Sequence, residues 1–587
     1  MSVATELQTL QTNIGNAYTT IGTKGGTVPA NKNTDNLATA IDSIPSGGTP
    51  TPLDPEVVYQ QTRPADWLEM PTPAVDEAYL LLHISPDTID NLNYKTTLAG
   101  NDVQTIEFGT VTNGTFVPDP DLVFSQTTSD FAISVPPSKF GSQTSDGTLQ
   151  LMAKFSGSNI SLISLGNHNG GMFRDVVDFS GNLPSLYSMN PGSNSNYKWY
   201  RLRYFSLSAD NISSAMQAYF LNINSLICVR QLDTSHASNV GSLFQGCTNL
   251  VAIPQLSTGN CTGFINMFYG CTLIEEVPLF DTSRGISFEN MFYGCRSLRD
   301  IPQFDTSSGT VFTGMFQECY ALKNISQLNT SSGTNFTTMF ANCYILEEIP
   351  LLNTSNGTAF AGMFSGCTSI RSLPLIDTSH CTDFSSFANS CTSLENFPLI
   401  DTSRGTNFTR MFSNCFCLGS IPQLDTSSGT NFTNMFENCR SLSAIPNINT
   451  SSGTAFQSMF INCIGITSPE FSNLDFSSVT ATNGLNSLTQ SLGGRTITFN
   501  PTLDQNTIYN TSTIISAQNN QMSSTNIAKI KLPQTSMVTI SANATTLFSS
   551  NANVYVYVPD NLLSTYQADT YWATLGARLK PMSDWSA

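Results

Sequence analysis

Between residues 232 and 471 the apolar positions recur in one order with a period of 24. Residues 424–446 show the unit most clearly, L-D-T-S-S-G-T-N-F-T-N-M-F-E-N-C-R-S-L-S-A-I-P, in which Phe432, Met435, Phe436 and Cys439 fall at i, i+3, i+4 and i+7. That spacing predicts about two turns of helix with one apolar face, started by Thr430 as a cap. Leu442 and Ile445 then lie in a segment closed by Pro446, too short for a helix and read as a strand, and the recurring D-T-S-S-G turns the chain into the next unit. The register does not slip: cysteine returns at Cys247, Cys271, Cys295, Cys319, Cys343, Cys367, Cys391, Cys415, Cys439 and Cys463, and threonine at every 24th residue from Thr234 to Thr450. A single unit cannot bury its own apolar side, so the period predicts a solenoid in which Phe, Met, Cys, Leu and Ile stack on their equivalents. With strand-like contacts each coil should rise about 4.8 Å, giving a core on the order of 50 Å long.

Outside the array the pattern changes. Val3, Leu7, Leu10, Ile14, Ala17 and Ile21 form an a/d seam that ends at Gly25 and Gly26. It is read as a self-associating helix joining identical chains, with a trimer expected; the competing reading is an amphipathic helix packed on its own domain. A Gly/Pro linker, S-G-G-T-P-T-P-L-D-P, precedes runs such as A-Y-L-L-L-H-I, V-Q-T-I-E-F-G-T-V, F-A-I-S-V and L-Q-L-M-A-K-F, which predict a small antiparallel β domain. Trp67 is read as a core plug. After the array T-I-T-F, K-I-K-L, M-V-T-I and V-Y-V-Y-V-P suggest degenerate coils, and Asp560 is expected to cap a helix from Leu562 to about Leu575 carrying Leu563, Tyr566 and Trp572.

The motif D-T-S-x-x-T-x-F-x-x-M-F-x-x-C-x-x-L-x-x-I-P resembles the leucine-rich repeats of bacterial surface proteins of the BspA type, a family of extracellular adhesive solenoids. The V-Y-V-P-D-N-L-L-S-T-Y segment is similar to the terminal element of the same family. The N-terminal L-Q-T-N-I-G-N-A-Y-T-T-I-G-T-K-G-G-T-V-P followed by N-L-A-T-A-I-D-S-I-P resembles a segment common in phage tail and baseplate proteins. Departures occur where Leu243 and Phe244, or Phe387 and Ala388, replace Met-Phe, where Ser326 replaces the proline, and at Pro469. The architecture expected is multidomain and mainly β with short helices. It comprises a helical anchor over 1–48, a linker over 49–56 and a β-sandwich-like domain over 57–165. An irregular connector over 166–207, a leucine-rich-repeat solenoid over 208–475, and irregular coils with a C-terminal cap over 476–587 complete it.

Composition narrows the function. Charged residues make up only 11% and the net charge is −18, with 24 Lys and Arg scattered, so nucleic acid is a poor partner. Residues 232–470 hold 17 Asp and Glu against 8 Lys and Arg, which favours a neutral glycan or a protein over acidic envelope polymers. No run of 18 apolar residues predicts a membrane span, and residues 1–21 lack the basic start and apolar core of a signal peptide.

The ten register cysteines are read as a ladder of buried free thiols, while Cys261 and Cys381 stand in turn segments and are expected nearer the surface. No C-x-x-C pairing, H-E-x-x-H or phosphate loop occurs, so no metal, cofactor or catalytic residues are expected and the chain is read as a non-enzyme. The Asp/Asn ladder at 281, 305, 329, 353, 377, 401 and 425 suits turn hydrogen bonds better than calcium. The pairs Glu275-Glu276 and Glu347-Glu348 are read as a solvated face.

Specificity in a solenoid lies where repeats vary. The candidates are Tyr269 and Tyr293 after the Phe, and Arg296, Tyr320, Tyr344, Phe416 and Arg440 after the Cys. Exposed, they would suit sugar stacking or a protein contact; otherwise the rings pack on one another. The function expected is that of a phage tail fibre or baseplate adhesin on the outside of a virion, docked through its N-terminus and touching a host-surface glycan or protein. A purely structural virion component and a bacterial surface adhesin are the alternatives.

Overall fold

The computed structural model describes residues 52–466, apart from 128–129, 142, 166–171, 191–200, 211–215 and 217, together with 496–498, 528–531, 537 and 554–584. The heptad seam from Val3 to Ile21 therefore lies outside the described residues. The first element among the described residues is a helix, α1 (Pro55–Thr62), whose N-cap Asp54 accepts from the Glu56 amide. It is followed by strands β1 (Glu77–Ile84), β2 (Leu92–Ala99), β3 (Gln104–Thr112), β4 (Thr115–Gln126), β5 (Asp130–Val135), β6 (Leu149–Ser156), β7 (Leu162–Ser164), β8 (Val176–Asn182), β9 (Ser188–Asn190), β10 (Tyr204–Ser208) and β11 (Cys228–Leu232).

These strands form a seven-stranded sheet in the order β11-β10-β8-β1-β6-β3-β4 and a four-stranded sheet in the order β5-β2-β7-β9. Strand β1 is buried on both faces. Leu80 and Leu82 belong to the main core, while Tyr79 and Leu81 pack with Val58, Tyr59 and Trp67 from α1 and the segment after it. Trp67 is a core plug, edge-on to His83 and Tyr204 at ring distances of 4.5 and 6.0 Å.

The boundaries expected at residues 165 and 207 are not breaks. The stretch 166–207 carries β8, β9 and the start of β10, so it is not an irregular connector. It escapes pattern reading because β8 is buried on both faces and so cannot alternate; its Asp178 sits wholly inside, held by Arg63 (2.9 Å) and the Tyr59 hydroxyl (3.0 Å). Pairing is antiparallel across β8-β1-β6-β3-β4 but parallel across β8-β10-β11, and a further parallel bridge joins Cys228 to Ala252. The sheet thus passes directly into the coils of a mainly β solenoid of about 12 turns.

Within the coils the helix expected from the i, i+3, i+4, i+7 spacing does not form. In residues 432–439 the amides of Phe432, Asn434, Phe436 and Asn438 donate to carbonyls of the next coil (Ala455, Gln457, Met459 and Ile461) at 2.7–2.9 Å. The amides of Met435, Glu437 and Cys439 instead close four-residue turns onto the carbonyls of Phe432, Asn434 and Phe436. Two residues per coil are left-handed, here Asn434 (φ 58°) and Asn438 (φ 61°), which no α-helix allows. A chain of four-residue turns places inward residues at the same spacing as a helix does. The apolar assignments therefore hold, with Phe432, Met435, Phe436 and Cys439 all fully buried, although the backbone differs.

The strand expected at Leu442–Ile445 is likewise displaced. The parallel bridges run mainly through the residue before the Phe, as in Asp383, Asn407, Asn431 and Ala455.

Three side-chain ladders hold the coils together. Phenylalanine rings stack face to face, for example Phe268 on Phe292 at 5.4 Å and Phe432 on Phe456 at 5.2 Å, each pair contributing about 1 kcal/mol beyond burial. Each register cysteine donates its thiol to the carbonyl 27 residues earlier, at 2.9–3.1 Å from Cys247 to Cys463. Each register threonine from Thr234 to Thr426 is buried and donates its hydroxyl to a carbonyl of the following coil, at 2.5–2.9 Å. Cys261 and Cys381 are also buried, contrary to expectation, because they replace the glycine that lies against the Phe rings in coils such as that of Gly309; among the described cysteines Cys417 is the exposed one.

At the C-terminal end β12 (Thr496–Thr498), β13 (Ala528–Lys531), β14 (Val554–Val558) and β15 (Leu579–Pro581) form a parallel sheet in that order, as degenerate coils would. The helix α2 covers only Leu563–Ala568. Asp569 ends it by accepting from the Tyr571 and Trp572 amides, and a 3-10 segment, Trp572–Arg578, follows. Asp560 bonds the Ser583 amide (2.9 Å) rather than capping a helix. Among the described residues no helix is long and apolar enough to cross a membrane.

Candidate functional site

The coil backbone determines which side chains can face outward. The residue before each register cysteine is left-handed, and it is Gly246, Gly270, Gly294, Asn342, Gly366, Ser390, Asn414, Asn438 or Asn462 in nine coils. In the tenth it is Glu318, at φ 61°. A glutamate there costs about 1–2 kcal/mol of backbone strain that glycine would avoid.

Glu318 is also where the variable aromatics meet. Its carboxylate accepts from the Tyr293 hydroxyl (2.9 Å) and the Tyr320 hydroxyl (3.3 Å) and lies 3.4 Å from the Arg296 guanidinium. Tyr293 stacks on Tyr269 at 4.6 Å with planes 4° apart, and Tyr320 stacks on Tyr344 at 4.7 Å. The Arg296 guanidinium covers the other face of Tyr320, 5.2 Å from the ring centre. Five of the seven candidates therefore join in one stripe across neighbouring coils. Phe416 and Arg440 form a separate pair, with the guanidinium 4.7 Å from the ring centre. Burial, followed by the Glu318 hydrogen bond, pushes the Tyr293 phenol up to about 12, and burial raises that of Tyr320.

Sequence reasoning named both tyrosine pairs but not the residue that connects them. The available signal was a carboxylate standing where glycine or asparagine recurs. The rings pack on one another, so most of their faces are occupied and do not serve as a row of open platforms.

The acidic and thiol side chains of the coils hold structural positions. Glu275 and Glu347 are ion-paired across coils with Arg299 (3.3 Å) and Lys323 (3.5 Å), and Arg371 pairs with Glu395 (2.8 Å), so one repeat position carries three pairs of opposite charge along successive coils. Asp281, Asp305, Asp377 and Asp425 accept from the serine two residues on, and these hydrogen bonds hold their carboxyls below the usual range. Burial pushes the ladder thiols up, to about 12 at Cys247, Cys391 and Cys463.

A family model described as a Mycoplasma protein of unknown function, DUF285, matches residues 214–324, 287–398, 382–495 and 406–529, which together cover more than half of the chain. The chain belongs to the DUF285 family. Its matched segments overlap because the DUF285 unit spans several of the 24-residue coils. No curated protein matches the sequence. Among solved structures, the chain is similar to the plant peptide hormone receptor RGFR1 in complex with RGF2, at 11% identity over 68% of this chain and 78% of that one, with a TM-score of 0.18. It is also similar to TLR13 in its complex with ssRNA13, at 13% identity over 68% of this chain and 65% of that one, with a TM-score of 0.20. At those scores neither superposition carries an argument about this DUF285 chain.

Proposed function

We propose that this DUF285 protein is a non-enzymatic adhesin whose solenoid presents the Tyr269–Glu318–Tyr344 stripe to a partner surface. The observation that supports this reading is Glu318. A strained residue at a glycine position, gathering two tyrosines and an arginine on the outer surface, has no need to be there for the coil to close. Stacked tyrosines with hydrogen-bonding tips and a guanidinium are the side chains that dominate protein recognition surfaces. The finer reading is a phage virion adhesin, in a tail fibre or baseplate, acting on a host-surface glycan or protein. It is supported by the resemblance of residues 10–29 and 36–45 to phage tail segments and by the seam from Val3 to Ile21, which would assemble three chains. A structural virion component and a bacterial surface adhesin remain the competing readings.

The test is adsorption by the complete chain, because β8, β10 and β11 tie the first coils into the sheet and a shorter piece would cut that sheet. Purified protein should bind susceptible cells and block attachment of the phage, and Glu318→Gly should reduce both. Absence of binding at high protein concentration would reject the adhesin reading and favour a structural role.

A further inference from the structure

The position after the register cysteine reads Arg296, Tyr320, Tyr344, Thr368, Thr392, Phe416, Arg440 in seven successive coils, an aromatic ladder interrupted by two threonines. Tyr344 stacks on Tyr320 (4.7 Å, planes 17° apart), so its ring lies across the solenoid axis with one face toward Tyr320 and the other toward the coil of Thr368. At the far side, Arg440 covers the face of Phe416 that looks toward its own coil, leaving the opposite face toward Thr392. Two aromatic faces therefore oppose each other across two coils whose side chains are too small to reach them. Three coil steps of about 4.8 Å put the rings about 14 Å apart, and subtracting one ring thickness of about 3.5 Å leaves a slot roughly 11 Å wide.

The rest of the slot is polar and uncharged at its base. The Thr368 hydroxyl donates to the Tyr344 carbonyl (2.9 Å) and the Thr392 hydroxyl to the Thr368 carbonyl (3.3 Å), so each hydroxyl oxygen presents only lone pairs outward. Three residues further along the same two coils stand Arg371 and Glu395, paired at 2.8 Å with side chains 77% and 49% exposed. They offer a planar donor and a planar acceptor at the rim.

We propose that this slot binds a short neutral saccharide, with sugar C–H faces against Tyr344 and Phe416, sugar hydroxyls donating to Thr368 and Thr392, and the Arg371–Glu395 pair engaging hydroxyls at the rim. Width and charge select this ligand. A quaternary ammonium group needs ring centres within about 6 Å, which rings about 14 Å apart cannot both provide. An anionic glycan would meet an array with 17 acidic and 8 basic residues. The inference rests on the reading of the array as a binding surface and names the ligand class of one part of it.

The experiment is saturation-transfer NMR on the full chain with maltose, cellobiose, chitobiose and mannobiose, and with choline for comparison. At least one disaccharide should show transfer, with affinity falling at least about fivefold in Tyr344→Ala or Phe416→Ala, the loss of one aromatic contact. The double variant Thr368→Tyr, Thr392→Tyr should abolish it. That variant completes the ladder with residues the same position already holds in two adjacent coils, and its circular dichroism should match the parent. Transfer to none of the disaccharides, transfer to choline alone, or transfer unchanged in both alanine variants would each overturn the proposal. Cell adsorption that survives filling of the slot would remove this inference and leave the adhesin reading standing.

Discussion

Replacing Glu318 separates backbone strain from side-chain contact. Glu318→Ala removes hydrogen bonds from two tyrosine hydroxyls and a guanidinium contact, all on a carboxylate that is 22% exposed, but leaves the backbone at φ 61°. At about 1 kcal/mol for each hydroxyl and a few tenths for the exposed ion pair, the loss is about 2 kcal/mol. Glu318→Gly loses the same contacts but relieves about 1 kcal/mol of left-handed strain. The alanine variant should therefore be the less stable of the two by about 1 kcal/mol, the reverse of their order in a helix or strand. Urea denaturation followed by circular dichroism gives the comparison as a difference in midpoint at unchanged slope. Both variants should lose adsorption to a similar degree, since both lose the anchor of the stripe. Equal midpoints, or alanine the more stable, would show that residue 318 is not held left-handed and would remove the strain argument on which the site rests.

Two further outcomes are expected. Of the 14 cysteines, 13 are buried and Cys417 is exposed, so maleimide at neutral pH should add one label to the native chain, read by intact mass, and 14 after denaturation; fast labelling of Cys261 or Cys381 would contradict their burial. His83 is buried, hydrogen-bonded through Nδ1 to Thr148 (2.7 Å) and set among Asp146, Arg203, Arg201 and Arg63. Burial foremost, with the three arginines opposing Asp146, lowers its pKa from 6.5 to about 4. Between those values the unfolded chain binds the proton and the folded one does not. The contribution of His83 should thus be level above pH 6.5 and be lost as pH drops toward 4, and His83→Asn should flatten that part of the profile in pH-dependent thermal melts.

How far the sequence could be read depends on which physical constraint each residue answers. The 24-residue period, the buried Phe, Met and Cys positions and the register threonines were all legible, because every coil must bury the same face against its neighbours. The backbone of the coil was not. Inward spacing of i, i+3, i+4, i+7 is common to a helix and to consecutive four-residue turns, and apolar periodicity alone cannot separate them. The discriminating residues were polar: asparagine or glycine before most register cysteines, and asparagine, serine or glycine in most coils four residues earlier, at the two positions where φ is positive. Read that way, Gly270, Asn342 and Asn438 describe one conformational demand at the position before the cysteine, and Glu318 becomes visible as the residue that departs from it there, as Thr338 and Arg410 do at the position four residues earlier in the coil.

The strands β8 and β10 escaped for a related reason, since a strand buried on both faces loses its alternation and a polar Asp178 within it reads as loop until Arg63 and Tyr59 are known to meet it. Pairings between coils, such as Arg299 with Glu275 and Arg371 with Glu395, become legible only once residues 24 apart are read as neighbours. The same alignment exposes the slot, because Thr368 and Thr392 are unremarkable in the linear chain and become a gap only when Tyr344 and Phe416 are placed above and below them. In a solenoid the axis across the coils carries the recognition information. A substitution that is neutral within its own repeat, such as Thr368→Tyr, can therefore change the binding surface by what it stacks upon in the next.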